Sequence, residues 1–257
     1  MLPPPAASPW RILHSEASLG WGGQEHRVVA ELKGFLNRGH EVWLLAHPKA
    51  QILPRARDIG VNVLPCEFER LHLPVNAVRL AWWLRRQRID VVNTHSSRDG
   101  WLLGIAARLA RTPLLIRSRH IDVSYRVPSV SKHAFTTFAD HVLTTSDKIT
   151  AHLQSLFPIA SDDITTLPTG IDVSVFHPNG PKAQLPVRPG TPVIGMVSVL
   201  RSWKGHRTFF DAIRLLRDEG RQIQFVVVGG GGNTANFERM ANQHGVGAAV
   251  AFTGHRE

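Results

Sequence analysis

Cysteine is almost missing from this chain: Cys66 stands alone. No disulfide can form within it, which excludes a cross-linked scaffold and points to a reducing, cytoplasmic setting. Long apolar runs are missing too. No stretch approaches the roughly 20 apolar residues that a membrane span needs. Met1 to Pro9 is rich in proline and alanine, without the early positive charge or apolar core of a signal peptide. Metal signatures are absent as well: there is no H-E-x-x-H and no D-x-D near a strand end.

Charge is present, but mostly of one sign. The net charge is +10, spread along the chain, and arginine far outnumbers lysine. Such a surface favours anionic partners: nucleic acid, acidic lipid headgroups or phosphorylated substrates. A nucleic-acid reading would rest on charge alone, because no aromatic ladder or recognition-helix signature accompanies it. With 43% hydrophobic and 19% charged residues, the composition is that of an ordinary globular protein with ample core.

Apolar runs at 11–14, 41–46, 61–64, 90–94, 113–117, 141–145 and 165–167 read as short strands, and most are separated by segments of helical spacing. Val28, Val29, Leu32, Phe35 and Leu36 form one helical face, closed by Asn37-Arg38-Gly39. Strands alternating with helices imply a parallel sheet covered on both faces, with ligands at the carboxyl ends of its strands. From Pro178 to Pro192 prolines and glycines crowd together, which reads as a linker. The alternation then restarts with strands at 193–200, 222–228 and 248–252 and helices at 207–219 and 234–243. The expected fold is α/β with two Rossmann-like parallel-sheet domains. Residues 1–10 form a disordered N-terminus, residues 11–185 a first domain, and residues 186–257 a second, incomplete one.

Two glycine-rich loops invite a dinucleotide reading. Gly230-Gly231-Gly232-Asn233-Thr234-Ala235 fits G-x-G-x-x-A, but the next strand ends without the acid that would hold a ribose. Gly20-Trp21-Gly22-Gly23-Gln24-Glu25 carries Glu25 where a third small residue belongs, and the following strand again ends without an acid. A nicotinamide or flavin enzyme is disfavoured. Phosphate remains the natural guest of a glycine turn that opens a helix. Arg201-Ser202-Trp203-Lys204-Gly205 occupies the matching place after the first strand of the second domain, where two cations beside a helix start suit neighbouring phosphates.

Gly22-Gly23-Gln24-Glu25, Asn93-Thr94-His95-Ser96, Arg117-Ser118-Arg119-His120, Leu167-Pro168-Thr169-Gly170-Ile171-Asp172, Arg201…Lys204-Gly205, Val228-Gly229-Gly230-Gly231 and Phe252-Thr253-Gly254 occur in a fixed order. In that order and spacing the chain resembles glycosyltransferase family 4, the retaining enzymes of glycosyltransferase B architecture. The resemblance implies that Gly22 and Gly23 bring backbone amides to the donor diphosphate and the acceptor. It implies that His120 hydrogen-bonds a hydroxyl of the transferred sugar; His95, at a strand end, reads equally as a packing or turn residue. Arg201 and Lys204 would neutralise the departing diphosphate. Gly229, Gly230, Gly254 and His255 would bind the nucleotide, its base read partly by backbone around Gly254–Arg256.

Breaking a glycosyl–phosphate bond develops positive charge on the sugar and negative charge on the leaving group. Fixed cations and amides aimed at the diphosphate stabilise that change. The family is thought to react on one face, the leaving phosphate taking the acceptor proton, so that neither a side-chain base nor a metal is required. The implied partners are a nucleotide sugar and a saccharide or glycolipid acceptor, with lipopolysaccharide as one candidate and no nucleic acid. The family also carries two glutamates separated by seven residues further along the second domain. This chain stops before them, so a truncated enzyme of weak or no activity is expected. Leu80-Ala81-Trp82-Trp83-Leu84-Arg85-Arg86-Gln87-Arg88 sets tryptophans beside arginines. It reads either as a core-facing helix with a solvated end or as a patch for the cytoplasmic face of an anionic membrane. A non-catalytic binding fragment and a sugar-nucleotide epimerase are the competing readings.

Overall fold

The computed structural model describes residues 8–68, 73–231 and 234–256. The first seven residues of the expected N-terminal tail, Gly232 and Asn233 of the second glycine loop, and Glu257 lie outside the described residues. The chain divides into two compact units, Met1–Asp172 and Val173–Glu257.

In the first unit the strands are β1 (Arg11–Glu16), β2 (Glu41–Ala46), β3 (Asn62–Pro65), β4 (Val91–Thr94), β5 (Leu114–Arg119), β6 (His141–Thr144) and β7 (Ile164–Thr166). They form one sheet in the order β3-β2-β1-β4-β5-β6-β7, with every pairing parallel. The helices between them are α1 (Gly23–Leu36), α2 (Ile52–Asp58), α3 (Leu73–Gln87), α4 (Ser97–Ala110), α5 (Pro128–Ser131) and α6 (Asp147–Leu156). The strand order reverses between β1 and β4, the switch point at which open α/β sheets bind ligands.

Side chains alternate along a strand, so each strand feeds two cores. Leu13 and Leu45 pack with Leu80, Leu84, Leu103 and Ala106 of α3 and α4. Val42, Leu44 and Ala46 pack with Val28 and Leu32 of α1 and with α2 on the other face. The first helix ends as its sequence requires: the Gly39 N–H donates to the Leu36 carbonyl at 2.9 Å, and Gly39 has φ of +82°, a left-handed geometry that glycine adopts without penalty. On α3, Ala77, Leu80, Ala81 and Leu84 are buried. Trp83 packs edge-on against Trp43 with ring centroids 6.1 Å apart, whereas Trp82 faces outward. Among the described residues no helix is long and apolar enough to cross a membrane.

The second unit holds β8 (Val193–Val197), α7 (His206–Asp218), β9 (Gln224–Val228), α8 (Thr234–Gln243) and β10 (Val250–Gly254), its sheet ordered β10-β9-β8 around a core that includes Phe210, Ile213, Phe225 and Val227. Between β7 and β8 there is neither helix nor strand. Most boundaries fall within two residues of expectation, and two of the shifts have a visible local cause. β8 ends at Val197 rather than Leu200, because Gly229, with φ of +140°, leaves the ladder and its Cα side lies against the Ser198 carbonyl. The last strand begins at Val250 rather than Ala248, because Gly247–Ala249 form a 3-10 turn. Gly254 therefore ends that strand instead of following it.

Candidate active site

Three histidines converge on three adjacent strands, His14 within β1, His95 just past β4 and His120 just past β5. His14 lies on β1 opposite Asn93 of β4. His95 is two residues past Asn93 and so shares its face. Thr94 is opposite Arg117, which sets His95 level with Ser118 and His120 two residues beyond it. The side chains thus climb diagonally across the switch point on one face of the sheet. His14 Nδ1 is 2.8 Å from His95 Nε2, and His95 Nδ1 is 2.8 Å from His120 Nε2. The rings stack with centroids 5.0 and 5.1 Å apart. Ser118 Oγ donates to Asn93 Oδ1 at 2.8 Å on the same face.

Helix α1 covers this array. Glu31 Oε2 lies 3.9 Å from His14 Nδ1, and Glu31 Oε1 accepts from Arg27 Nε at 2.7 Å. The buried Arg27 also donates through Nη1 to the Leu167 carbonyl at 2.8 Å and to Thr169 Oγ1 at 3.2 Å, tying α1 to the chain beyond β7. Burial holds all three imidazoles neutral: His14 falls to about 3, with His120 adding repulsion. His120 falls to about 4, burial being reinforced by Arg27, Arg119 and Arg117. His95 lies well below the ordinary range, through burial and its two histidine neighbours. His14 Nε2 is buried with no hydrogen-bond partner among the described residues.

Two acids lie beside the array: Asp99 is bonded to Ser15 on the opposite face of β1, whereas Glu16, two residues past His14, shares the histidine face. Asp99, at the start of α4, accepts from Ser15 Oγ at 2.6 Å, from the His95 N–H at 3.0 Å and from the Ser96 N–H at 2.9 Å. Glu16, the last residue of β1, accepts from Ser96 Oγ, from Gln24 Nε2 and from the Ser18 N–H. Burial, followed by the nearby Asp99, raises its carboxyl group to about 7, against the pull of those hydrogen bonds. Gln24 therefore anchors the start of α1 to the ends of β1 and β4.

The glycine loop sits directly above. The Gly22 N–H donates to Glu25 Oε2 at 2.9 Å, and the first-turn amides of α1 have no partner within the helix. A Cβ on Gly23 would meet nothing within 4 Å, and one on Gly22 would meet only Glu25 Oε2, at 3.5 Å. Gly22 has φ of −157°, an extended backbone open to any residue.

In the second unit, Gly229, Gly230, Gly254 and His255 come together at the ends of β9 and β10. The Gly229 N–H donates to the Gly254 carbonyl at 2.9 Å, and a Cβ on Gly230 would lie 3.0 Å from that of His255. The Leu200 N–H donates to the Gly230 carbonyl at 3.0 Å, so the exposed Arg201 and Lys204 join the same strand-end cluster. The Arg201 guanidinium lies 5.9 Å from the Trp203 ring centre. In the first unit His95 and His120 are in contact, and the Gly22-Gly23 turn is tied to them by Gln24, whose Nε2 donates to the His95 carbonyl at 3.4 Å. Sequence reasoning missed His14, Glu16, Arg27 and Glu31. The place of His14 inside the first strand was the available signal, since a polar residue on a buried strand needs a partner.

Residues 21–175 match the family model described as Glycosyltransferase Family 4, and residues 181–257 match that of Glycosyl transferases group 1. No curated protein matches the chain. Among solved structures, a glycosyltransferase from Rickettsia africae is 19% identical with a TM-score of 0.79, over 97% of this chain and 69% of that one. HepE from Anabaena, solved in complex with UDP-glucose, is 18% identical with a TM-score of 0.76, over 96% and 69%. The apo form of WaaB, a lipopolysaccharide outer core galactosyltransferase, is 16% identical with a TM-score of 0.64, over 96% and 68%. At these identities the likeness to solved structures is one of fold.

Proposed function

Because the chain belongs to glycosyltransferase family 4, we propose that it moves a sugar from a nucleoside-diphosphate donor to a saccharide or glycolipid acceptor, with retention of configuration and without a metal ion. Family membership sets the epimerase reading aside. The solved neighbour holding UDP-glucose supports a uridine diphosphate sugar as the first donor to try, and the likeness to a lipopolysaccharide galactosyltransferase supports a glycolipid acceptor.

The observation that carries this reading is the pair Gly22-Gly23. The fold has room for a side chain at both positions, yet both are bare, at a helix start over the switch point. Bare backbone there lets a diphosphate or an acceptor oxygen reach the amides of α1. His120, kept neutral, hydrogen-bonds the transferred sugar without adding a charge that would oppose its developing positive character. Arg201 and Lys204 take the charge that grows on the leaving diphosphate. The exposed side of α3 is the proposed membrane-facing surface.

The test is a panel of uridine, guanosine and adenosine diphosphate sugars, read by melting temperature and by release of nucleoside diphosphate with a saccharide acceptor. One base class should raise the melting point, and its turnover should be unchanged by chelator. Arg201→Ala and Lys204→Ala should each lower transfer by about 100–1000-fold. No melting shift with any donor would overturn the reading, a shift with little release would bear out the weak activity expected of this chain, and robust release would overturn that expectation.

A further inference from the structure

The histidine array does more than fill space beneath the glycine loop. Each neutral imidazole has one N–H and one bare nitrogen. Along His14–His95–His120 each contact is a single 2.8 Å N···N hydrogen bond, so the choice made at one end fixes the other two. All the donors point from His14 towards His120, or all point back.

Two features at the His14 end select the direction. Glu31 Oε2, 3.9 Å from His14 Nδ1, favours a proton on that nitrogen over a lone pair facing a carboxylate. His14 Nε2 is buried with no partner, and an orphaned N–H costs more than an orphaned acceptor. Both place the proton on Nδ1. His14 then donates to His95 Nε2, His95 donates from Nδ1 to His120 Nε2, and His120 has its proton on Nδ1, the ring nitrogen outside the chain.

We infer that His14 and His95 are positioning residues that lock His120 in the Nδ1–H tautomer, so that it meets the donor sugar as a hydrogen-bond donor, with Glu31 setting the direction. The tautomer lock stands on the geometry alone; its purpose rests on the reading that His120 faces the transferred sugar. Glu31 is itself held by Arg27, which is bonded to the carbonyl of Leu167. The polarity of the array is thus tied to how α1 docks onto the chain that follows β7.

Long-range proton–nitrogen NMR of the histidine-labelled full chain reads the tautomers directly and needs no activity. All three rings should have Nδ1 protonated and Nε2 bare. His14→Phe keeps a ring against Phe35 but removes the donor to His95; His120 should then become a mixture of tautomers, in a variant whose melting curve shows that it is folded. Glu31→Gln should shift His120 the same way by less. Donor kcat/KM should fall by about tenfold or more in His14→Phe, and that loss should vanish in the His120→Asn background. His120→Asn, whose amide falls near the Nδ1 position, should retain more donor turnover than His120→Gln. A wild-type His120 protonated on Nε2, an unchanged His120 tautomer in His14→Phe, or a stoichiometric metal ion bound at His14 and His95 would overturn the lock. If the tautomers behave as stated while His120→Phe leaves donor turnover unchanged, the assignment of His120 to the sugar is overturned and the lock stands.

Discussion

At the scale of single residues, the switch point holds titratable groups whose burial pushes them in opposite directions. In the folded protein His14 titrates at about 3 and His120 at about 4, whereas an unfolded histidine titrates near 6.5. Between those values unfolding takes up protons, so stability falls as pH falls, by up to about 1.4 kcal/mol per pH unit for each such ring. Glu16 is shifted the other way. Its folded carboxyl is raised to about 7, so its contribution is fully present below the unfolded value and is lost as pH rises through 7. From about pH 4.5 to 6.5 the two kinds of group oppose each other; below that the histidines act without Glu16. Urea unfolding between pH 4 and 6 should therefore show a flatter dependence on pH in His14→Phe, by about one proton, even though the variant is less stable overall. An unchanged slope would show that His14 is not held neutral. Glu16→Gln should steepen the rise of stability with pH between about pH 5 and 6.5, by up to about one proton. None of this was legible in the sequence, because the three histidines belong to segments far apart along the chain and only strand register brings them into contact.

At the scale of elements, the glycines divide into those the fold needs and those it does not. A Cβ on Gly229 would stand 1.9 Å from the Ser198 carbonyl oxygen, with φ already at +140°. Gly229→Ala should destabilise the second unit by about 3 kcal/mol or more, seen as early loss of its share of the melting transition. A Cβ on Gly104 of α4 would meet that of Phe138 at 2.6 Å, so Gly104→Ala forces α4 off its neighbour. Gly23 is the contrast. Gly23→Ala should be neutral or up to about 1 kcal/mol more stable, as alanine is in a helix, while donor or acceptor affinity falls. A variant as active as wild type would remove the reason for bare backbone at that turn. The elements themselves were legible: the apolar runs became β1, β2 and β6 within a residue or two, and Gly39 closed α1. The ends of β8 and β10 were not, because a glycine leaving the ladder and a 3-10 turn are decided by close backbone contacts that apolar patterning does not encode.

At the scale of the whole molecule, the net charge of +10 meets exposed apolar surface along α3. Along α3, Val75, Val78 and Trp82 are 63%, 62% and 60% exposed, one helical turn apart from each other, opposite the face that Leu80 and Leu84 bury. The Arg86 guanidinium lies 5.2 Å from the Trp82 ring centre, and Arg79 and Arg85 lie on the same helix. Trp83 is core and Trp82 is surface, so the helix buries one tryptophan and exposes the other. An indole flanked by guanidinium groups suits the boundary between headgroups and acyl chains, and each arginine near an anionic surface contributes about 1 kcal/mol. The chain should therefore co-sediment with vesicles containing anionic lipid at low salt and be released at about 0.5 M salt, where screening shortens electrostatic reach to a few ångströms. Trp82→Ala should weaken binding at every salt concentration, because it removes apolar burial. Arg86→Gln should weaken it by about fivefold at low salt and hardly at all at high salt, because it removes only charge. Equal binding to neutral and anionic vesicles, or binding untouched by either substitution, would place any membrane contact elsewhere on the molecule.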